Sequence, residues 1–179
     1  MVLFFQIIAF LAPLFSPADG PYRCNNGKVY FHSKASLESI EASSNNLRGA
    51  IDPANRSFAW SVETASFTGF NSPLQLEHFN ENYMENSKYP RINFTGKVIE
   101  NLDFSANGKH SVRAKGKLNI HGVEQERIIR SDVEITGNKI RVKAQFTVFL
   151  ADHDIHIPQI VHQKIAEEIT VNIDAVLQN

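Results

Sequence analysis

From Lys28 onward, hydrophobic and polar residues alternate with a period of two in short segments, the pattern of half-buried strands joined by turns. Val29, Phe31 and Ser33 share a face against Tyr30 and His32. Leu47, Gly49 and Ile51 oppose Arg48, Ala50 and Asp52 ahead of an Asp-Pro-Ala-Asn turn, and Phe58, Trp60 and Val62 continue on one face. Between these, Leu37 to Asn46 is rich in Ser and Asn and alternates weakly, which reads as a strand followed by a loop. Arg91 to Phe104 predicts one long strand, closed by a hairpin loop at Ser105–Lys109 around Asn107-Gly108. In Ser111–Ile120, Val112, Ala114, Gly116, Leu118 and Ile120 face a core while Arg113, Lys115, Lys117 and Asn119 face solvent. Arg127–Ile135 and Lys139–Leu150 pair across Gly137-Asn138, and the latter puts Ile140, Val142, Ala144, Phe146, Val148 and Leu150 on one side. Ile169–Leu177 is the last strand, with Ile169, Val171, Ile173, Ala175 and Leu177 together.

One stretch breaks the period. Leu76, Phe79, Tyr83 and Met84 recur at helical spacing, Pro73 suits a first helical position, and Pro90 lies past the point where a helix continues. A short helix is expected there, leading into a half-buried strand at Ile92 and Phe94 and placed to cover one end of a sheet structure. About eight antiparallel strands and one helix make the chain all-β, as a sandwich or a closed barrel. Ala114, Gly116, Ala144 and Gly49 are small residues in the middle of bulky faces. Small side chains leave volume inside a barrel of this size, and they equally permit a strand bend or the packing of Trp60.

A chain of 179 residues with 42% hydrophobic and 21% charged residues fits one domain. The net charge of -1 carries no footprint for a polyanion. Val2 to Phe15 is apolar but for Gln6 and Pro13, and Ser16-Pro17-Ala18 supplies the small residues of a cleavage site. The expected organisation is a signal peptide at 1–18, an N-terminal extension at 19–27 and a β-barrel domain at 28–179, with the mature chain starting near Asp19. The apolar run is short against the roughly 20 residues of a membrane crossing. A single cysteine, Cys24, excludes an intramolecular disulfide and a multi-cysteine zinc site. A buried or free thiol is expected there in preference to lipid attachment, because Pro-Tyr-Arg precedes it.

Candidate chemistry is sparse. Among seven histidines the closest cluster is Asp152-His153-Asp154-Ile155-His156, where an extended backbone puts only Asp152, Asp154 and His156 on one side. Rim residues near a strand end explain it more simply than a metal site. Glu77, His78 and His121 have no nucleophile beside them in sequence, and no Gly-x-Ser-x-Gly elbow, P-loop or Gly-x-Gly-x-x-Gly is present. Neither an enzyme nor a cofactor is expected. Arg113, Lys115 and Lys117, with Lys97, Lys109, Arg127, Arg130, Arg141 and Lys143, form a basic stripe that solvated strand faces carry for solubility, so no nucleic acid is expected. What remains is apolar: thirteen phenylalanines and one tryptophan, many on faces shared with small residues, describe a cavity wall as readily as a core.

These residues resemble a family. Glu77-His78-Phe79-Asn80-Glu81-Asn82-Tyr83-Met84-Glu85, then Lys88-Tyr89-Pro90 and Phe94, is similar to the central helix of the YceI-like proteins, in the form common in Bacteroidetes-type bacteria. Lys117-Leu118-Asn119-Ile120-His121-Gly122-Val123 resembles their Leu-x-x-His-Gly-Val turn, and Phe146-x-Val148 through Asp154-Ile155-x-Ile157-Pro158 their next-to-last strand. The resemblance runs from about Lys28 to Leu177. It implies an exported lipocalin-like antiparallel β-barrel of about eight strands with a short helix closing one end, binding a polyisoprenoid or similar long apolar molecule such as a quinone or fatty acid, for transport or storage. The alternative is a stress-response or interaction barrel filled by its own side chains. Many family members place a charged residue where this chain has Pro73-Leu74-Gln75, so no polar ligand contact is carried over there. In such a barrel the candidate ligand-contacting residues are Phe31, Phe58, Trp60, Phe79, Tyr83, Phe94, Val112, Ala114, Gly116, Leu118, Val142, Ala144, Phe146, Val148 and Val171. A periplasmic or secreted location is expected, with peripheral membrane contact and a homodimer left open.

Overall fold

The computed structural model describes residues 20–179, so the expected signal peptide and its cleavage point lie outside the described residues. Strands β1 (Tyr22–Lys34), β2 (Ser39–Asp52), β3 (Ser57–Glu63), β4 (Arg91–Val98), β5 (Gly108–Ile120), β6 (Val123–Thr136), β7 (Lys139–Phe149) and β8 (Glu168–Gln178) follow one another round a closed barrel. Each is antiparallel to its neighbours, and β8 returns to pair with β1, as Phe31 opposite Val171 illustrates. Closure removes the unpaired edges that an open sheet would present.

β1 begins ahead of the alternation that announces it. Residues 22–27, expected to belong to an N-terminal extension, are barrel strand: Arg23 pairs with Ala50 on one side and Gln178 on the other. The register slips between Cys24 and Gly27 and again before Val29, where Asn25-Asn26 on β1 and Asn45-Asn46 on β2 are consecutive exposed residues. Each bulge reverses the inward phase, which explains why Leu37–Asn46 reads as a strand followed by a loop although β2 is continuous. β4 is shorter than expected and ends at Val98. Beyond it Asp103 accepts from the Ser105 backbone N–H at 2.9 Å, a local turn that brings Phe104 back to plug the barrel with only 5% of its surface exposed.

The connections β1–β2, β3–β4, β5–β6 and β7–β8 gather at one end, which carries the helix. At the opposite end Tyr22, Cys24, Ile51, Phe104, Ile135, Ile140 and Leu177 are buried together and form a solid floor. Cys24 is a buried free thiol within it. On the outer face the basic stripe is interleaved with carboxylates across the strands: Arg113 with Glu100, Lys115 with Glu126, Lys117 with Glu124, Lys109 with Glu134 and Arg141 with Asp174. Glu100 accepts from both the backbone N–H and the guanidinium of Arg113, which holds its carboxyl down at about 2.

Candidate functional site: an apolar cavity under a helical cover

The cover is built by local rules. The Ser72 hydroxyl accepts from the Gln75 backbone N–H at 3.2 Å, Pro73 takes the first turn, and α1 (Pro73–His78) follows. It continues into a π-helical turn at Phe79–Tyr83, closed by the Met84 N–H donating to the Phe79 carbonyl at 2.9 Å. Phe79 then lies among three rings, 5.6 Å from Phe31, 5.7 Å from Phe67 and 5.0 Å from Phe70 between centroids.

Between this cover and the floor lies a cavity of about 430 Å³. Of the sequence candidates, Phe31, Trp60, Phe79, Tyr83, Phe94, Ala114, Leu118, Val142, Ala144, Phe146, Val148 and Val171 line it. Phe58, Val112 and Gly116 do not. Phe58 and Val112 are 5% and 3% exposed and sit lower, in the floor, where Phe58 packs on Phe94 at 4.9 Å. Gly116 faces Gly96 across β4 and β5, and a Cβ on it would come within 2.2 Å of the Thr95 carbonyl oxygen. It permits close strand contact instead of supplying cavity volume. Gly49 behaves likewise, because a Cβ there would lie 2.1 Å from the Trp60 ring, which crosses over it. Only Ala114 and Ala144 among the four small residues face the cavity.

The candidate set omits several lining residues. Ile92, Ile120, Ile169 and Ile173 lie on the same alternating faces as named candidates and were open to that inference. Phe67 and Phe70 come from the loop between β3 and α1, where no periodicity marks them. At the mouth, the Glu38 carboxylate accepts from the side-chain amides of Gln75 and of Asn71. The charged and titratable lining residues Glu38, His78 and Lys164 all belong to this end.

The covering segment is fixed to the barrel by the turn between β5 and β6. His121 and Gly122 both have positive φ, at 53° and 78°, and a Cβ on Gly122 would meet the Tyr89 ring at 2.4 Å. The rings of Tyr89 and His121 meet edge to face at 4.7 Å. Nε2 of His121 lies 2.7 Å from Glu85 Oε2 and Nδ1 lies 3.2 Å from the His153 carbonyl oxygen. The three sequence stretches that carry the family resemblance therefore converge on a clasp beside the cavity.

His153 itself is fully buried on the short helical turn Leu150–His153, with its Nδ1–H donating to the Val123 carbonyl at 3.1 Å. Burial pushes its pKa below the ordinary histidine value. Among the described residues no group of three His, Cys, Asp or Glu side chains is placed to hold a metal.

The YceI-like domain profile matches residues 24–177. The chain belongs to the YceI-like family. No curated protein matches it. Among solved structures, the YceI-like chain is similar to a domain from Saccharophagus degradans described as polyisoprenoid-binding and implicated in plant cell wall breakdown. The TM-score is 0.75 at 14% identity, over 88% of this chain and 97% of that one. BcnA from Burkholderia cenocepacia matches with a TM-score of 0.67 at 18% identity, over 84% of this chain and 95% of that one. The YCEI protein of Campylobacter jejuni matches with a TM-score of 0.57 at 18% identity, over 100% and 93%. At these identities the likeness is one of fold.

Proposed function

We propose that this YceI-like barrel is an exported, non-enzymatic binding protein that holds a long apolar molecule, of polyisoprenoid or similar lipid type, for transport or storage. The observation that carries this is the cavity: an apolar chamber of about 430 Å³, closed below by a packed floor and roofed by a helical segment. A barrel filled by its own side chains would leave no such space. Burial of apolar area supplies about 25 cal/mol per Å², so a chain of a few isoprene units brings ample gross driving force before ordering costs are subtracted.

Two further features support the reading. The polyisoprenoid-binding description of the Saccharophagus degradans domain agrees with the chemistry of the lining. Leu37, Leu74 and Ile160, which are 69%, 56% and 91% exposed, all project from the helix end, where peripheral contact with a membrane surface would let an apolar cargo pass without crossing water. Export rests on the apolar N-terminal run and the Ser16-Pro17-Ala18 site. Trp60, the single tryptophan, lines the cavity and reports binding directly. Saturable change of its emission with a C15 isoprenoid is expected, and N-terminal sequencing of exported protein should begin near Asp19. Emission indifferent to every long apolar probe would defeat the binding reading.

A further inference from the structure

The described residues contain four buried serine and threonine side chains, Ser33, Ser44, Thr64 and Ser131. Three are hydrogen-bonded within the protein. Ser33 accepts from the Ala166 N–H at 2.9 Å, Ser44 shares a bond with the Ser66 hydroxyl at 2.6 Å, and Thr64 donates to the Tyr89 carbonyl at 3.0 Å. Ser131 is 8% exposed, makes no side-chain hydrogen bond to another described residue, and keeps its oxygen open to the cavity that it lines. A hydroxyl facing an apolar cavity finds a partner only in what occupies the cavity, so its place matters.

That place is the deep end of the cavity. On β6 the inward residues descend from Ile129 to Ser131 to Val133; the first two line the cavity and Val133 belongs to the packed floor. Ser131 stands opposite Val112 of the floor on β5 and opposite Ala144 on β7. The small Ala144 and, one step diagonally across, Ala114 both line the cavity, so the hydroxyl has open space beside it. No Asp, Glu, Lys or Arg lines the cavity at this depth, because Glu38 and Lys164 are at the mouth, and the nearest titratable group on the inward face of β5 is His110, one inward step below Val112.

We propose that the cavity floor is a subsite for a neutral polar terminus, and that the ligand enters with its hydroxyl or carbonyl end first to hydrogen-bond Ser131. This rests on the binding reading above and narrows it. The ligand class is a long-chain alcohol, ketone, quinone or amide. Phosphate and carboxylate ends are excluded from the floor, since an ion there would lose its hydration with no lysine or arginine lining that part of the cavity.

The test uses four C15 probes titrated against the folded protein by Trp60 emission: farnesol, its ketone analogue, the hydrocarbon farnesene, and farnesyl phosphate. Ser131→Ala removes one oxygen and keeps the barrel, which circular dichroism verifies. The quantity read is the ratio of Kd for alcohol to Kd for hydrocarbon, which cancels changes common to both. One hydrogen bond of ordinary net strength predicts that Ser131→Ala shifts this ratio about two- to tenfold toward the hydrocarbon, with the ketone following the alcohol. Farnesyl phosphate should bind more weakly than farnesol in wild type. A ratio unmoved by the substitution overturns the subsite while leaving hydrocarbon binding, and hence the carrier reading, intact. Phosphate binding tighter than alcohol overturns the neutral-end assignment. Failure of all four probes to bind wild type would defeat the carrier reading and the subsite together.

Discussion

Glu85 Oε2 lies 2.7 Å from Nε2 of His121, a contact between residues 36 positions apart that joins the end of the covering helix to a turn of the barrel. His121 is only partly accessible, whereas Glu85 is nearly half exposed, so the pair is a charge-assisted bond at a rim. His121→Ala should loosen the cover by about 1 kcal/mol and accelerate release of a bound isoprenoid several-fold while the barrel persists. Stopped-flow release beside thermal melts checks it. An off-rate equal to wild type would show that the clasp does not hold the cover.

Phe79 and Tyr83 line the cavity from that cover, and Phe79 is fixed by Phe31, Phe67 and Phe70. Replacing both with Ala is expected to speed ligand release further and to retain the sheet spectrum, because the strand pairs do not depend on them. Loss of the whole fold in one cooperative step would make this segment a core element instead.

Gly116 and Ala144 should respond oppositely to added bulk. Gly116→Ala drives a methyl into the Thr95 backbone and is expected to cost at least the 1 to 3 kcal/mol typical of overpacking. Ala144→Leu points into open cavity, so it should lower ligand capacity with little change in Tm. Melting and binding measured on both variants decide it. A Gly116→Ala protein as stable as wild type would contradict the close strand contact.

His153 sets a pH dependence. Burial holds its folded pKa below the ordinary 6.5, so the unfolded chain takes up a proton near that pH while the folded protein resists it. Its contribution to stability is complete above about 6.5 and is lost as pH falls below that value toward the depressed folded pKa. Tm should therefore decline on acidification more steeply in wild type than in His153→Gln. Parallel profiles would mean that the imidazole titrates alike folded and unfolded.

Most of the barrel was legible because its strands are half-buried, and period two writes that burial directly into residues such as Val112 to Ile120. The failures have local causes. Bulges at Asn25-Asn26 and Asn45-Asn46 reverse the phase within β1 and β2, so residues 22–27 did not read as strand. The Asp103–Ser105 turn ends what looked like a continuous run to Phe104. In the cavity, alternation pointed Phe94, Ala144 and Val171 inward, and they line it, yet alternation reports only the side a residue faces. Depth along the barrel placed Phe58 and Val112 in the floor, and backbone proximity removed Gly116. Phe67 and Phe70 lie in irregular backbone, where no period exists to read.

A cavity of about 430 Å³ with this apolar lining should carry cargo in the cell. Protein purified from its native source without detergent, extracted with organic solvent and analysed by mass spectrometry, should yield about one long-chain apolar molecule per barrel, with native mass spectra showing the same added mass on the intact chain. Extracts without stoichiometric lipid, from protein whose Trp60 emission also ignores added isoprenoid, would contradict it.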